Sequence, residues 1–228
     1  MAKEIKKNKL FDSQQVDHYE VIAGLVAESS PRKTFLLMIF ISSVIATMGL
    51  LNDSPAVVIG AMLVAPLLWP FLGISMGLLV FDWRMIRLSF LSIFLSIIIA
   101  VITAMFITSF YVPLGASREI LNQTNFNFMW PIALAAGAAA AFAISYSNIR
   151  EAAAGIAISV ALLPPLVTVG IGLGGTDWVL MQKAGELFMI NLVGILGVTF
   201  IVFWLLGFRR YHRTIESAVK KEEKILKA

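Results

Sequence analysis

The sequence contains no cysteine and only two histidines, His18 and His212, among its 228 residues. The missing thiols exclude disulfide bonds, thiol catalysis and thiolate metal sites. Both histidines lie in the terminal segments, and no His-Glu-x-x-His, Gly-x-Ser-x-Gly or phosphate-loop pattern occurs in the chain. We therefore expect no catalytic residue, no metal and no cofactor, and the sequence does not predict an enzyme.

Charge is also scarce, since charged residues make up 14% of the chain and hydrophobic residues 59%. Soluble domains carry about 25% charged residues, and the apolar residues here form long runs, not an amphipathic pattern. This composition predicts an integral membrane protein in contact with a lipid bilayer. The formal charge of +4 lies in tails and short loops beside apolar runs, so no nucleic-acid partner is predicted.

Six apolar runs approach the roughly 20 residues that a helix needs to cross a bilayer. They predict an all-α domain over residues 33–208, with transmembrane helices at 33–51, 55–81, 88–112, 129–146, 152–174 and 184–208. Asp53 and Ser54 before Pro55 are typical of a helix start. Residues 1–32 are predicted to carry an amphipathic helix on the membrane surface or against the cytosolic ends of the bundle. Residues 209–228 are predicted to be a charged cytosolic tail.

The basic residues predict the orientation. With six spans and an internal amino terminus, 16 of the 18 basic residues lie on the cytosolic side, and only Arg118 and Lys183 lie outside. This is the distribution of the positive-inside rule. The sequence thus predicts a multi-pass protein with both termini in the cytosol.

Two of the predicted spans contain prolines near their centres. Pro66 lies 11 residues after Pro55, which corresponds to roughly 16 Å of helix, and Pro164 lies at a similar depth in the fifth span. A proline inside a helix removes a donor and frees backbone groups that lipid cannot satisfy. Pro66 with Pro70, and Pro164 with Pro165, therefore predict two discontinuous helices near mid-membrane.

A re-entrant hairpin is the alternative for each proline-containing segment. It would move Arg84, Arg87 and Arg150 to the outside, which worsens the distribution of basic residues. Full spans are the preferred interpretation.

The two broken helices occupy matching places, because each is the middle helix of a set of three, over residues 33–112 and 129–208. An odd number of spans per set predicts an inverted repeat, and paired broken helices in such repeats indicate a transporter site at the midplane. The predicted substrate- or ion-binding residues are Gly60, Ala65, Pro66, Leu67, Ser159, Leu163, Pro164, Pro165 and Asn191. Asn191 fits interhelical bonding equally well.

Other polar residues are candidates for a gate or for interface anchoring, namely Asn148, Arg150, Glu151 and Glu186. For Glu186 the favoured interpretation is stabilisation of the start of the sixth span by a carboxylate in its first turn. Ser75 and Thr168 either line a cavity or bond back to their own helices. The small residues Gly73 and Gly77, and those around Gly137, predict close helix packing within the chain or in a homo-oligomer.

The run Val-Ile-Gly-Ala-Met-Leu-Val-Ala-Pro-Leu at 58–67 resembles the signature of a prokaryotic membrane family catalogued as domain of unknown function 389. The run at 150–166 and Asn191-Leu192 resemble its second half, and the similarity covers about residues 34–208. The resemblance implies a bacterial or archaeal plasma membrane. It implies no activity, since the family is defined by its hydrophobic domain.

The leading functional hypothesis is a transporter or channel-like permease whose solute or ion binds where the two broken helices cross. A small anion, a zwitterion or a neutral solute is favoured because no carboxylate lies deep in the predicted spans. The alternative is a non-transporting scaffold or signalling subunit that recruits a cytosolic partner through its amphipathic terminal helices.

Overall fold

The computed structural model describes residues 18–111, 129–145 and 162–227, and every regular element in these ranges is helical. In chain order the elements are α1 (His18–Glu28), α2 (Lys33–Leu51), α3 (Pro55–Val64), α4 (Leu68–Val80), α5 (Trp83–Tyr111), α6 (Met129–Ser145), α7 (Leu163–Gly174), α8 (Trp178–Leu205), a 3-10 helix (Phe208–Tyr211) and α9 (His212–Lys227). The all-α prediction is thus confirmed for the described residues.

Three of these helices, α2, α5 and α8, are long and apolar enough to cross a membrane. They correspond to the first, third and sixth predicted spans. The pair α3 and α4 also passes as a span when taken together, although the two helices meet at an angle of 49°. The helices α6 and α7 are apolar but shorter. Several apolar helices could therefore span a membrane, which indicates a membrane protein.

Two helix starts differ from the sequence prediction. The prediction began the third span at 88 and the sixth at 184, whereas α5 begins at Trp83 and α8 at Trp178. Arg84 and Arg87 are exposed residues in the first turns of α5, not part of a polar joint. Long basic side chains extend away from the apolar part of a helix, so their charge does not mark where the helix begins.

The α2–α3, α4–α5 and α7–α8 connections share one backbone geometry, which we call the glycine corner. In each, the N–H of the residue that precedes the second helix donates to a glycine carbonyl five residues back; the pairs are Ser54 to Gly49 (2.8 Å), Asp82 to Gly77 (3.0 Å) and Asp177 to Gly172 (2.8 Å). The residue directly before each donor has a left-handed φ, which is 48° at Asp53, 57° at Phe81 and 56° at Thr176. This is a Schellman ending whose last residue immediately precedes the next helix.

Each corner glycine also allows the second helix to approach closely. A Cβ built on Gly49, Gly77 or Gly172 would lie 3.1, 3.2 or 2.8 Å from the backbone nitrogen nine residues later. The sequence prediction found the helix start at Ser54 and Pro55, but the Ser54 side chain makes no capping bond. The corner is held by backbone geometry at this position.

The long helices α5 and α8 form the centre of the described bundle. Helix α5 packs against α2, α4 and α7, while α8 packs against α4, α6 and α7. Small residues allow these approaches: a Cβ on Gly73 would meet the Ser89 hydroxyl of α5, and one on Gly137 of α6 would lie 2.9 Å from the Cα of Ile195. The predicted close packing within the chain is confirmed at these glycines.

The terminal helices α1 and α9 pack against each other, and α1 also packs against α4 and α6. The apolar face of α1, formed by Val21, Ile22, Leu25 and Val26, is almost fully buried. On α9, Ile215 and Val219 are buried as well. The apolar faces predicted for both segments therefore pack against other helices of the same chain. Residues 1–17 of the predicted amino-terminal segment lie outside the described residues.

Candidate functional site at the helix break

The second apolar run is interrupted at Ala65, Pro66 and Leu67. The Ala65 N–H donates to the Ala61 carbonyl at 3.1 Å and Ala65 then adopts an extended conformation, with φ −75° and ψ 116°. Pro66 has no N–H with which to continue the ladder. The last carbonyls of α3 and the first N–H groups of α4 are consequently left without partners in their own helices.

Only one of the two prolines that the sequence prediction assigned to this break interrupts the helix. Pro66 lies in the interruption, whereas Pro70 is the third residue of α4 and is buried. A proline fits the first turn of a helix because the N–H it lacks would have no partner there. The prediction that Pro70 contributes to the break is therefore wrong.

In the second half of the chain, α7 begins at Leu163, with Pro164 and Pro165 as its second and third residues. Both prolines thus fit the first turn of a helix and do not interrupt α7. The preceding part of the predicted fifth span, including the candidate residue Ser159, lies outside the described residues. The candidates Asn148, Arg150 and Glu151 lie outside them too.

The described helices of the two halves recur at an almost constant offset of 95 residues. Helices α4 and α7 begin at 68 and 163, and α5 and α8 begin at 83 and 178. Helix α2 covers 33–51 and α6 covers 129–145, which agrees within one or two residues. The same offset relates Gly60 to Gly155, Pro70 to Pro165, Gly77 to Gly172, Asp82 to Asp177 and Trp83 to Trp178.

This offset corrects the pairing of prolines made from the sequence. The counterpart of Pro164 is Trp69 and the counterpart of Pro66 is Ala161. The two halves are aligned by their helix starts and by their glycine corners. The prolines that appeared to match in the sequence are shifted by several residues.

A pair of contacts between the halves follows the same offset. The Ser75 hydroxyl of α4 donates to the Leu196 carbonyl of α8 at 3.2 Å. Their counterparts are Gly170 of α7 and Val101 of α5, and a Cβ on Gly170 would lie 2.5 Å from the Val101 carbonyl oxygen. Position 75 thus meets 196, and position 170 meets 101. Two bodies related by a twofold axis make contacts of this reciprocal kind.

The candidate residues near the break differ in their environments. Leu67 and Leu163 are buried, Ala65 and Pro66 are partly exposed, and Asn191 is buried in α8. A Cβ on Gly60 of α3 would meet nothing within 4 Å. The structure brings α3 into contact with α7 and places α4 against α8, so the break lies between elements of both halves.

The structure gives the surroundings of three further polar residues that the sequence singled out. The Thr168 hydroxyl donates to the Pro164 carbonyl at 2.8 Å, and the single hydroxyl hydrogen of Ser75 is shared between the Phe71 carbonyl at 3.3 Å and the Leu196 carbonyl at 3.2 Å. Both side chains therefore bond back to their own helices. Glu186 is exposed in the third turn of α8, not in its first.

The acidic residue at the start of α8 is Asp177, whose side chain accepts the Leu180 N–H at 3.0 Å. Its counterpart Asp82 accepts the N–H groups of Arg84 and Met85 at 3.0 and 2.9 Å. Sequence reasoning missed these two caps. The sequence repeats the pattern Gly-x-x-x-x-Asp-Trp at residues 77–83 and 172–178. This repeat is the signal from which both caps could have been predicted.

Comparison with known proteins gives one family and one relative. The family model described as domain of unknown function 389 matches residues 62–197. The uncharacterized protein MJ0678 of Methanocaldococcus jannaschii is 31% identical over 192 residues, which cover 83% of this chain and 59% of that protein. The chain therefore matches little more than half of the length of that relative. No solved structure matches the chain.

Proposed function

Because this chain belongs to the family of domain of unknown function 389, whose description names no activity, we propose a function from the chain's own geometry. We propose a membrane permease, either a transporter or a channel, that carries a small solute or ion through a site at the break between α3 and α4. The protein has no enzymatic activity in this proposal and lies in a prokaryotic plasma membrane.

The observation that carries the proposal is the reciprocal contact of Ser75 with Leu196 and of Gly170 with Val101. It supports two halves of three spans each, related by a twofold axis. With three spans per half, the second half runs through the membrane in the opposite direction. Broken helices at matching positions of inverted halves are typical of transporter sites. The proposed architecture is six spans with both termini in the cytosol.

The two proposed half-sites differ in the donors they offer. The first four N–H groups of a helix have no partner in that helix. Residues 68–71 at the start of α4 include one proline and so carry three N–H groups, whereas residues 163–166 of α7 include two prolines and carry two. An anionic or zwitterionic group is therefore better accommodated by α4 than by α7. This favours a small anion, a zwitterion or a neutral solute.

The scaffold hypothesis has less support from the contacts of the terminal helices. A partner would need the apolar faces of α1 and α9, and these faces are covered by α4 and by each other. Among the described side chains of α9, Ile225 and Leu226 are exposed and form a small apolar surface at its end. Association into a homo-oligomer remains a prediction.

Aqueous accessibility tests the permease proposal. The chain has no cysteine, so single cysteines can be placed at Leu67, Leu166 and Asn191 and treated with a charged thiol reagent from each side of the membrane. We expect at least one of them to react from one side. Val193→Cys is the matched control, because Val193 is an exposed apolar residue of α8 that would face lipid.

A reaction at Leu67, Leu166 and Asn191 no faster than at Val193 from either side contradicts the proposal. The substrate itself is sought by screening anions, zwitterions and neutral solutes for a rise in the melting temperature of the purified protein. A ligand that binds only the folded state raises that temperature by an amount that grows with the ratio of its free concentration to its Kd.

A further inference from the structure

The polar joint between α1 and α2 lies unusually deep in the protein. Ser29 and Ser30 are 2% and 1% exposed. The Ser29 hydroxyl donates to the carbonyl of Trp69, the second residue of α4, at 2.7 Å. The carbonyl of Ser29 accepts a bond from the Ser92 hydroxyl of α5, also at 2.7 Å. The end of α1 is thereby bound to the first turn of α4, three residues after Pro66.

Gly73 shows how closely this joint fits against α4. A Cβ on Gly73 would lie 2.6 Å from the Ser29 hydroxyl oxygen and closer still to that of Ser89. No side chain other than hydrogen fits at this position without displacing one of the serines. Helix α1 therefore covers the side of α4 that follows the break.

Helix α9 also contacts the joint between α1 and α2, through Arg32. Arg32, which follows the serine joint, donates from Nε to one carboxylate oxygen of Glu222 at 2.6 Å and from Nη2 to the other at 2.5 Å. The Glu222 side chain is 5% exposed and that of Arg32 is 37% exposed. The bond to Glu222 raises the pKa of Arg32 above its ordinary value.

Such two-pronged bonds between guanidinium and carboxylate are among the stronger polar contacts in proteins. They are also reversible, and here one partner remains accessible to water. The pair joins residues 190 positions apart and so links the joint between α1 and α2 to α9.

We propose that α1 and α9 form a cytosolic gate over the start of α4, and that the Arg32–Glu222 pair holds this gate closed. The gate rests on the proposed permease function and on its cytosolic termini, because it controls access to the same break. In the proposed closed state the serine joint, which bonds to Trp69 three residues after Pro66, blocks the path from the cytosol. Separation of Arg32 from Glu222 frees α1 to leave α4 and opens the path from the inside.

The test measures how fast a charged thiol reagent, added from the cytosolic side of inside-out vesicles, reacts with Leu67→Cys. We expect Glu222→Gln to raise this rate about tenfold, since it removes one charged partner from the pair and shifts the population towards the open state. The exchange of charges in Arg32→Glu with Glu222→Arg is expected to return the rate towards that of the unaltered pair.

Two controls separate gating from general loosening. Glu216→Gln removes the exposed Lys220–Glu216 pair of the same helix and is expected to leave the rate unchanged. Ile39→Cys, at a fully buried site in α2, is expected to stay unreactive in the Glu222→Gln background. A rise at both Leu67→Cys and Ile39→Cys would mean that the fold is loosened, and it would overturn the gate.

The gate and the permease fail in different ways. If Leu67→Cys reacts no faster in the Glu222→Gln background than with Glu222 intact, including no reaction in either, the gate is wrong, and reaction at any of the three cysteines leaves the permease standing. If Leu67→Cys, Leu166→Cys and Asn191→Cys stay unreactive from both sides in every background, the permease itself is wrong.

Discussion

The hairpins α4–α5 and α7–α8 have the same backbone plan but different side chains at their contacts. Both begin with a proline in the third position of the first helix, and both turn at a glycine corner followed by tryptophan. Where α4 reaches across to the other half it uses the Ser75 hydroxyl, whereas α7 uses the bare backbone of Gly170. The two hairpins thus agree in their helix starts and turns, and they differ in the side chains at their contacts.

The contacts of α7 and α4 with the other half are of two different physical kinds. The α7 contact is steric, because the backbones of α7 and α5 touch directly at Gly170. The α4 contact is a hydrogen bond and tolerates a side chain. Position 96 of α5 is serine and its counterpart, Asn191 of α8, is a larger amide. Positions that the 95-residue offset relates therefore carry different polar groups.

The largest effect is expected at the steric contact. In Gly170→Ala the new methyl group would lie 2.5 Å from the Val101 carbonyl oxygen and 2.6 Å from the Ala104 Cβ. Because backbone atoms cannot move aside cheaply, we expect a loss of about 1–3 kcal/mol. The measurement is the melting temperature of the detergent-purified protein.

The matched control is Gly197→Ala in α8, where a Cβ would meet nothing within 4 Å. Alanine is favoured over glycine in a helix by about 1 kcal/mol, so this variant should be unchanged or slightly more stable. Equal melting temperatures for the two variants would contradict the close approach of α7 to α5.

The two aspartate caps should differ in strength. Removal of a helix cap costs about 0.5–2 kcal/mol. Asp82 accepts two N–H groups and is 6% exposed, whereas Asp177 accepts one and is more exposed. We expect Asp82→Ala to lower the melting temperature more than Asp177→Ala, and Asp→Asn at either position to recover most of the loss. A larger loss of melting temperature in Asp177→Ala than in Asp82→Ala would contradict this difference between the two caps.

The smallest effect is expected at the hydrogen-bonded contact. Ser75→Ala removes the bond to Leu196, and a typical hydrogen bond contributes about 0.5–1.5 kcal/mol to stability. Ser109→Ala is the matched control, because that exposed hydroxyl bonds to the Met105 carbonyl of its own helix. Both are compared by thermal unfolding. If Ser75→Ala costs no more than Ser109→Ala, the bond to Leu196 does not join the two halves.

The sequence predicted local features of the fold better than contacts between distant residues. The bounds of α2 were predicted correctly because apolar residues fill the helix between Arg32 and Asn52. The interruption at Pro66 was predicted from the chemistry of proline. The role of Glu186 was not, because the start of α8 had been placed six residues too late.

The contacts of the terminal segments could not be predicted. Arg32 and Glu222 lie 190 positions apart, and no local pattern distinguishes the buried Glu222 from the less buried Glu223 beside it. The Ser29–Trp69 bond likewise joins residues 40 apart through packing of α1 on α4. Such pairings depend on the assembled bundle and not on helical periodicity.

The glycine corner has a mechanical consequence for the bundle. One residue both ends the backbone bonding of the first helix and precedes the second, so neither helix of a corner can swing without distorting the other. The hairpins α2–α3, α4–α5 and α7–α8 are joined in this way. Ala65, Pro66 and Leu67 separate the first two of these hairpins, so we expect any change in the 49° angle between α3 and α4 to occur at these three residues.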